Sequence, residues 1–228
     1  MTIYNHYFEL NLNASKLGKK IKANPSKVAD IYRRSISIGI NSLHQIAKKK
    51  SAGGYAVAIF ETEHHFDSEA TQNIQSKIRV YTKKKTALEH IRSIVLTTEY
   101  FINYFAISDV IMVPEDCEHY CAYMRVRMPT VKKQSTSVEI KKEILEQSPD
   151  CNFIYLMPSS SMNGSKRLIR YYYKVVPMAP MKAAQYSKPD GYGFSRTNRI
   201  CPVAKIVCLF YKAVESNYTI TLIFIQTS

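Results

Sequence analysis

The stretch NPSKVADIYRRSISIGINSLHQIAKKKSAGGYAVAIF, residues 24–60, carries the reading on which the fold rests. Val28, Ile31, Tyr32, Ser35, Ile36, Gly39, Ile40, Leu43, Ile46 and Ala47 recur at three- and four-residue intervals, the spacing of one buried helix face. Asn24-Pro25 supplies a cap with proline at the first helical position. Lys48-Lys49-Lys50 and Gly53-Gly54 stop the helix, because basic groups suit its C-terminal end and glycine permits the turn out. Residues 55–60 then read as a strand.

Outward from this unit, Phe8, Leu10 and Leu12 alternate with Tyr7, Glu9 and Asn11, the two-residue period of a half-buried strand. Residues 77–82 read as another strand, 86–103 as a second amphipathic helix, and 107–113 as a fourth strand before Pro114. The order βαββαβ predicts a ferredoxin-like unit, an antiparallel sheet covered on one face by two helices. Pro114-Glu115-Asp116 marks the boundary, giving a first domain over 1–116 and a second over 117–228. In the second, 123–128, 153–157 and 166–175 read as strands, 136–147 as a short helix capped from Thr136 or Ser137, and 176–202 mostly as loop. An apolar tail after about 203 has no assigned role, and no internal repeat is evident. The expected fold class is therefore α+β: a ferredoxin-like domain followed by a smaller, basic, strand-rich domain with a short helix.

The 228 residues hold 32 Lys and Arg against 18 Asp and Glu, a net charge of +14, which points to a polyanionic partner, most commonly nucleic acid. The excess is concentrated: from Phe153 to Lys212 there are ten basic side chains and a single acid, Asp190. No run of 18 apolar residues occurs, and MTIYNHYFEL lacks the basic-then-apolar pattern of a signal peptide, so a cytoplasmic chain without a membrane span is expected. Cys117, Cys121, Cys151, Cys201 and Cys208 include no CxxC pair and read as reduced thiols. Cys117, His119 and Cys121 could form half of a metal site, but no second half follows, so neither metal nor other cofactor is expected.

Several side chains could carry chemistry. His44 lies at the edge of the apolar stripe, where a histidine is commonly a boundary residue, and position alone does not assign it a role. Ser159-Ser160-Ser161 before Asn163-Gly164 is ordinary turn composition. Arg125 and Arg127, two apart in a strand, share a face and can offer planar forks to guanine or phosphate, or simply protect an edge. Lys166, Arg167 and Arg170 fall in the nearly acid-free segment, and Lys132, Lys133, Lys141 and Lys142 stand before and within the short helix; phosphate contact and solubility both account for them. Lys83-Lys84-Lys85 and His64-His65 read as exposed loop.

Taken in order, these pieces resemble the CRISPR repeat-processing endoribonucleases of subtype I-F, including members that serve transposon-associated complexes. His6-Tyr7 opens the first strand, Leu43-His44-Gln45 resembles the catalytic helix end, and ISDVIMVPEDC (107–117) resembles the exit from the first domain. Met124-Arg125-Val126-Arg127 resembles the base-reading strand, and FIYLMPSSSMNGSKRLI (153–169) the serine loop with its following strand. Tyr192-Gly193-Phe194-Ser195 with Pro202 resembles the closing motif, so the likeness spans 6 to about 203. Lys166 stands where many members carry a stacking aromatic, and the family's arginine-rich helix is represented only by Lys132, Lys133, Lys141 and Lys142.

The resemblance implies an active site of His44, Ser159 and Tyr192, with Ser161 as the alternate serine. It implies a metal-independent cut at the base of a repeat stem-loop. His44 would take the 2′-hydroxyl proton, the serine would hold that oxygen in line, and Tyr192 would fix the imidazole, leaving a 2′,3′-cyclic phosphate and a 5′-hydroxyl. Lys166 or Arg167 would stabilise the phosphorane, Arg125 and Arg127 would read bases near the foot of the stem, and the lysines with Arg170 would track phosphates. The implied partners are the CRISPR repeat RNA hairpin and the other subunits of the surveillance complex in antiviral defence, with no small-molecule ligand and a monomer when free. Two other readings use the same basic surface: a hairpin-binding subunit without catalysis, and an unrelated basic nucleic-acid-binding module.

Overall fold

The computed structural model describes residues 4–49, 54–65, 71–128, 134–156, 169–179, 188–197 and 200–205. The Phe8-Leu10-Leu12 alternation forms β1 (His6–Leu12), which lies between β3 (Thr71–Thr82) and β4 (Phe105–Ile107), with β2 (Tyr55–His65) outside β3. β5 (Ile111–Met112) continues the edge beside the start of β1, and every pairing is antiparallel. By chain order this is second, third, first, fourth, the arrangement expected of a βαββαβ unit.

Register explains why the helices sit where they do. Phe8 opposes Val80 and Leu10 opposes Ile78, so four apolar side chains share one face. Against it lie α2 (Val28–Lys49), through Ile36, Ile40 and Leu43, and α3 (Lys85–Val95), through Leu88, Ile91 and Val95, all buried. Each such burial contributes about 1.5–3 kcal/mol. That outweighs the weak helix propensities of Ser35, Ser37, Gly39, Asn41 and Ser42 within α2, each costing under about 1 kcal/mol. Gly39 is required for the contact, since a Cβ there would stand 3.1 Å from Ile78 Cδ1 and 3.2 Å from Phe105 Cζ.

The opposite face of the sheet is also covered, which corrects the half-buried reading of β1. A second antiparallel sheet packs there, built from β6 (Tyr120–Val126), β7 (Asn152–Leu156), β8 (Ile169–Met178) and β9 (Val203–Ala204) in the order β7-β8-β6-β9. Tyr7 is 4% and Glu9 8% exposed. Glu9 is held by Arg79 at 2.5 Å and Lys77 at 3.2 Å between the sheets. Tyr123 donates to the Ile59 carbonyl (2.9 Å), Tyr81 to the Ala204 carbonyl (2.9 Å), and Gln75 to the Tyr173 hydroxyl (3.0 Å). Phenols suit such a seam because the ring buries area while the hydroxyl satisfies a backbone oxygen.

The second sheet repeats the strand order of the first, a topological repeat without a sequence repeat. Its first crossover carries α5 (Gln134–Glu146); within its second crossover, residues 188–197 form the closing segment. The first two residues of the expected tail, Val203 and Ala204, are the edge strand β9.

Several expected elements differ locally. α1 (Ala14–Ala23) was not anticipated: Asn13 caps it by accepting from the Ser15 N–H at 3.1 Å, but only Leu17 is fully buried, so its apolar period is thin. Asn24 closes α1, and Pro25–Lys27 form a 3₁₀ turn before α2 begins. The helix over 86–103 is two, α3 and α4 (Glu99–Tyr104), since the Thr97 and Thr98 hydroxyls bond the Ile94 carbonyl at 3.0 and 2.7 Å and compete with the backbone. The strand over 107–113 is interrupted where Arg92 bonds the Ser108 carbonyl (2.6 Å) and Asp109 (2.7 Å). His64 and His65 belong to the β2–β3 hairpin rather than to a loop.

Candidate active site between the two sheets

α2 presents a second face, at right angles to its apolar stripe, and it docks on β7. Asp30 accepts from the Tyr155 hydroxyl (3.0 Å), and Arg33 lies 4.3 Å from the centre of the Phe153 ring. Ser37 Oγ accepts from the Tyr155 N–H (2.8 Å), and Asn41 Nδ2 donates to the Tyr155 carbonyl (3.0 Å). Spacings of three and four keep these positions on one line of the helix. His44 is the next member of that line. The Tyr155 N–H meets Ser37 and its carbonyl meets Asn41, so β7 runs in the direction of α2 and its chain leaves at Leu156 on the His44 side.

The His44 ring is half-buried, and its Nδ1 bonds the Gly191 carbonyl, 147 positions away. A carbonyl only accepts, so the shared proton sits on Nδ1 and the neutral ring keeps its lone pair on Nε2. Tyr55 OH donates to the same oxygen at 3.1 Å. The Tyr192 ring stacks on the imidazole, with centroids 4.4 Å apart and planes at 34°.

The closing segment is rigid for reasons visible in its residues. Asp190 is buried, and its carboxylate accepts from the Tyr192 and Phe194 N–H groups, both at 3.0 Å, and from the Tyr171 hydroxyl. Phe194 is fully buried between Tyr171 and Tyr173, at 5.1 and 5.4 Å. Ser195 zips the segment to β6, donating its N–H to the Tyr123 carbonyl and accepting from the Arg125 N–H, both at 2.9 Å. Gly193 adopts φ +85°, and its carbonyl accepts from the Val57 N–H at 3.0 Å, which ties the segment to β2.

The phenols here stay protonated. Burial, followed by the Asp190 charge, pushes Tyr171, Tyr55 and Tyr192 above the ordinary range; Arg125 partly opposes this at Tyr171 and Tyr192. They are therefore donors and packing groups at neutral pH.

The fold thus brings His44 and Tyr192 into contact. Arg125 joins the same corner, its guanidinium 4.9 Å from the Tyr171 ring centre, on the face of β6 that looks toward the first sheet. Arg127, two residues on, is exposed. Arg170 is exposed on β8, its guanidinium 5.0 Å from the Phe153 ring centre. On α5, Lys141 is half-buried and Lys142 exposed within 3.7 Å of Glu146, among three glutamates that offset the two lysines. Ser159, Ser161, Lys132, Lys133, Lys166 and Arg167 lie outside the described residues. Asp190, Gly191, Tyr55 and Tyr171 were not singled out from the sequence, although Asp190 stood out there as the one acid in a basic stretch and Gly191 and Gly193 flank Tyr192.

Among the described residues no group of three or more His, Cys, Asp or Glu converges as a metal site would, and no helix is long and apolar enough to cross a membrane. No protein-family model and no curated protein matches the chain. Among solved structures it is similar to a chlorite dismutase from Candidatus Nitrospira defluvii, in complex with imidazole, at 9% identity and TM-score 0.26 over 75% of this chain and 76% of that one. It is also similar to a CRISPR associated protein Cas6 at 13% identity and TM-score 0.34, over 88% of this chain and 98% of that one.

Proposed function

We propose that this protein is an endoribonuclease that binds the stem-loop of CRISPR repeat RNA and cuts at its base without a metal, as the resemblance to the subtype I-F enzymes implies. One observation carries the reading: an imidazole whose Nδ1 is fixed by a backbone carbonyl and whose ring is stacked by a tyrosine of the closing motif. With Nδ1 engaged by the carbonyl, Nε2 is the ring nitrogen left to take a proton, as RNA self-cleavage requires. The net charge of +14 supports a polyanionic substrate.

In this mechanism His44 Nε2 takes the 2′-hydroxyl proton, the 2′-oxygen attacks the adjacent phosphorus, and the P–O bond to the next nucleotide breaks, its 5′-oxygen taking a proton from solvent while the imidazolium returns its own to solvent. The products are a 2′,3′-cyclic phosphate and a 5′-hydroxyl. A positioned base contributes roughly 10²–10⁴-fold. Ser159, with Ser161 as the alternate, holds the 2′-oxygen; both follow β7, which points toward His44. Tyr192 keeps the imidazole in one plane, and Lys166 or Arg167 stabilises the phosphorane. Arg125 serves the foot of the stem, with Arg127 beyond it, while Lys132, Lys133, Lys141, Lys142 and Arg170 contribute phosphate contacts. The two halves, 1–116 and 117–228, supply base and RNA grip respectively, and the product stays bound as part of a surveillance complex in the cytoplasm.

The test is incubation of a repeat hairpin with the protein in EDTA. His44→Ala is expected to abolish cutting while affinity stays within a few-fold, and a single 2′-deoxy substitution before the scissile phosphate is expected to block wild type. Cutting of the deoxy substrate would point to a water nucleophile. Tight binding without cutting by wild type would leave only a hairpin holder.

A further inference from the structure

Along the outer side of α2, from Arg34 to Gln45, lies a cavity of about 290 Å³ that the mechanism above leaves unused. Arg34, Ile38, Asn41, Ser42, Gln45 and Tyr155 line it. We infer that this cavity takes the base of the unpaired nucleotide immediately 3′ of the scissile phosphate, the one whose 5′-oxygen leaves. The inference rests on the endoribonuclease reading and specifies how that active site holds the leaving side of its substrate.

Three features select an unpaired base. The walls are mainly apolar with a few polar groups, as a stacked base requires: the Tyr155 ring and Ile38, the latter 48% exposed, offer apolar surface, while Ser42 and Gln45 bring a hydroxyl and an amide. The volume lies at the lower end of small-ligand pockets, roughly 300–1,000 Å³, the scale of one planar ring system rather than a base pair. The site sits close to the chemistry along the helix: Asn41 lies three residues, about 4.5 Å of rise, before His44, and Gln45 is next to it in sequence.

Charge at the rim agrees. Phe153 and Tyr155 project from the side of β7 opposite buried Ile154 and Leu156, their rings 5.5 Å apart and edge-on. Around them stand Arg33 and Arg170, 4.3 and 5.0 Å from the Phe153 ring centre, and Arg34, 5.6 Å from that of Tyr155. Asp30 neutralises part of this, holding Arg34 at 2.6 Å and Tyr155 OH at 3.0 Å, which also fixes the ring that a base would stack on. The remaining guanidinium groups give a strand leaving the active site a cationic path along α2.

The test uses a repeat hairpin with a short 3′ single-stranded flank. With 4-thiouridine at the first flanking nucleotide and a 2′-deoxy residue before the scissile phosphate to prevent cutting, irradiation is expected to cross-link the RNA to the peptides carrying Ile38–Gln45 or Tyr155; cross-links confined elsewhere overturn the inference whether or not the protein is a nuclease. With the cleavable RNA, an abasic first flanking nucleotide is expected to slow single-turnover cutting about ten-fold or more, the scale of one lost base–aromatic stack. Ser42→Trp, which fills the cavity, is expected to slow the normal substrate similarly, the abasic one hardly further, and to leave affinity for the cut product unchanged. Equal rates for normal and abasic RNA overturn the inference while sparing the nuclease reading. An uncut control hairpin with a cross-link at the cavity overturns the nuclease reading instead, and no binding at all sinks both.

Discussion

A methyl group on Gly191 would stand 3.0 Å from His44 Cε1, closer than carbon atoms tolerate without movement. The backbone around Gly191 is held by Tyr55 on its carbonyl and by the Asp190 carboxylate on the Tyr192 and Phe194 N–H groups that follow, so the imidazole would have to yield. A displacement of about 1 Å at a catalytic group can cost on the order of 10²-fold. Gly191→Ala is therefore expected to cut repeat RNA about 10²-fold more slowly, with hairpin affinity and melting temperature near wild type. A variant that cuts at the normal rate would show that the ring position set by Gly191 is irrelevant to the reaction. Gly193 is glycine for a different reason: its φ of +85° and a Cβ only 3.0 Å from the Val57 amide concern the seam between sheets, not the imidazole.

At the scale of elements, α2 is the part that makes one site from two sheets. Its apolar stripe was legible from the spacing of Ile36, Ile40 and Leu43, because burial imposes a period on the sequence. The line Asp30, Arg33, Ser37, Asn41, His44 has the same period in polar residues, yet polar groups on a helix face water as readily as a partner, so the pattern alone does not reveal β7. Ser37 closes a gap at the open edge of the second sheet, donating to the Arg33 carbonyl at 2.6 Å while accepting the Tyr155 N–H. Ser37→Ala leaves that amide without its partner, which costs about 1–3 kcal/mol. Urea unfolding should show the loss, and amide exchange at Tyr155 should quicken; unchanged values in both measurements would mean that the helix does not strap the strand.

Across the whole molecule, Glu9, Lys77 and Arg79 sit between the sheets, with Arg79 1% exposed and its guanidinium over the Tyr7 and Phe60 rings at 4.9 and 4.4 Å. Burial pushes the Glu9 carboxyl upward, but the Arg79 hydrogen bond and charge, with Lys77, outweigh it and hold the group below its ordinary 4.5. A carboxyl lowered by folding stabilises the protein above its unfolded value and loses that contribution as pH falls through the folded one. Glu9→Gln should thus destabilise by about 3–5 kcal/mol at pH 7, because two buried cations lose their counter-charge. The gap from wild type should narrow as pH drops below about 4.5. Denaturant melts at pH 7 and pH 3 measure this, and a gap of equal size at both would remove the ion cluster from the acid sensitivity of the fold.

The amino-acid order by itself determined the βαββαβ path of the first half, since strand and helix periods are local consequences of which side chains are buried. It also singled out His44 and Tyr192, which the fold brings into contact, and it carries the net charge of +14. Tertiary structure alone decided that the Glu9 face of β1 is buried, that the second sheet repeats the order of the first, and that Gly191 meets His44. Those outcomes depend on contacts between segments far apart in the chain, and a sequence carries no periodic signature of a partner that lies 147 residues away.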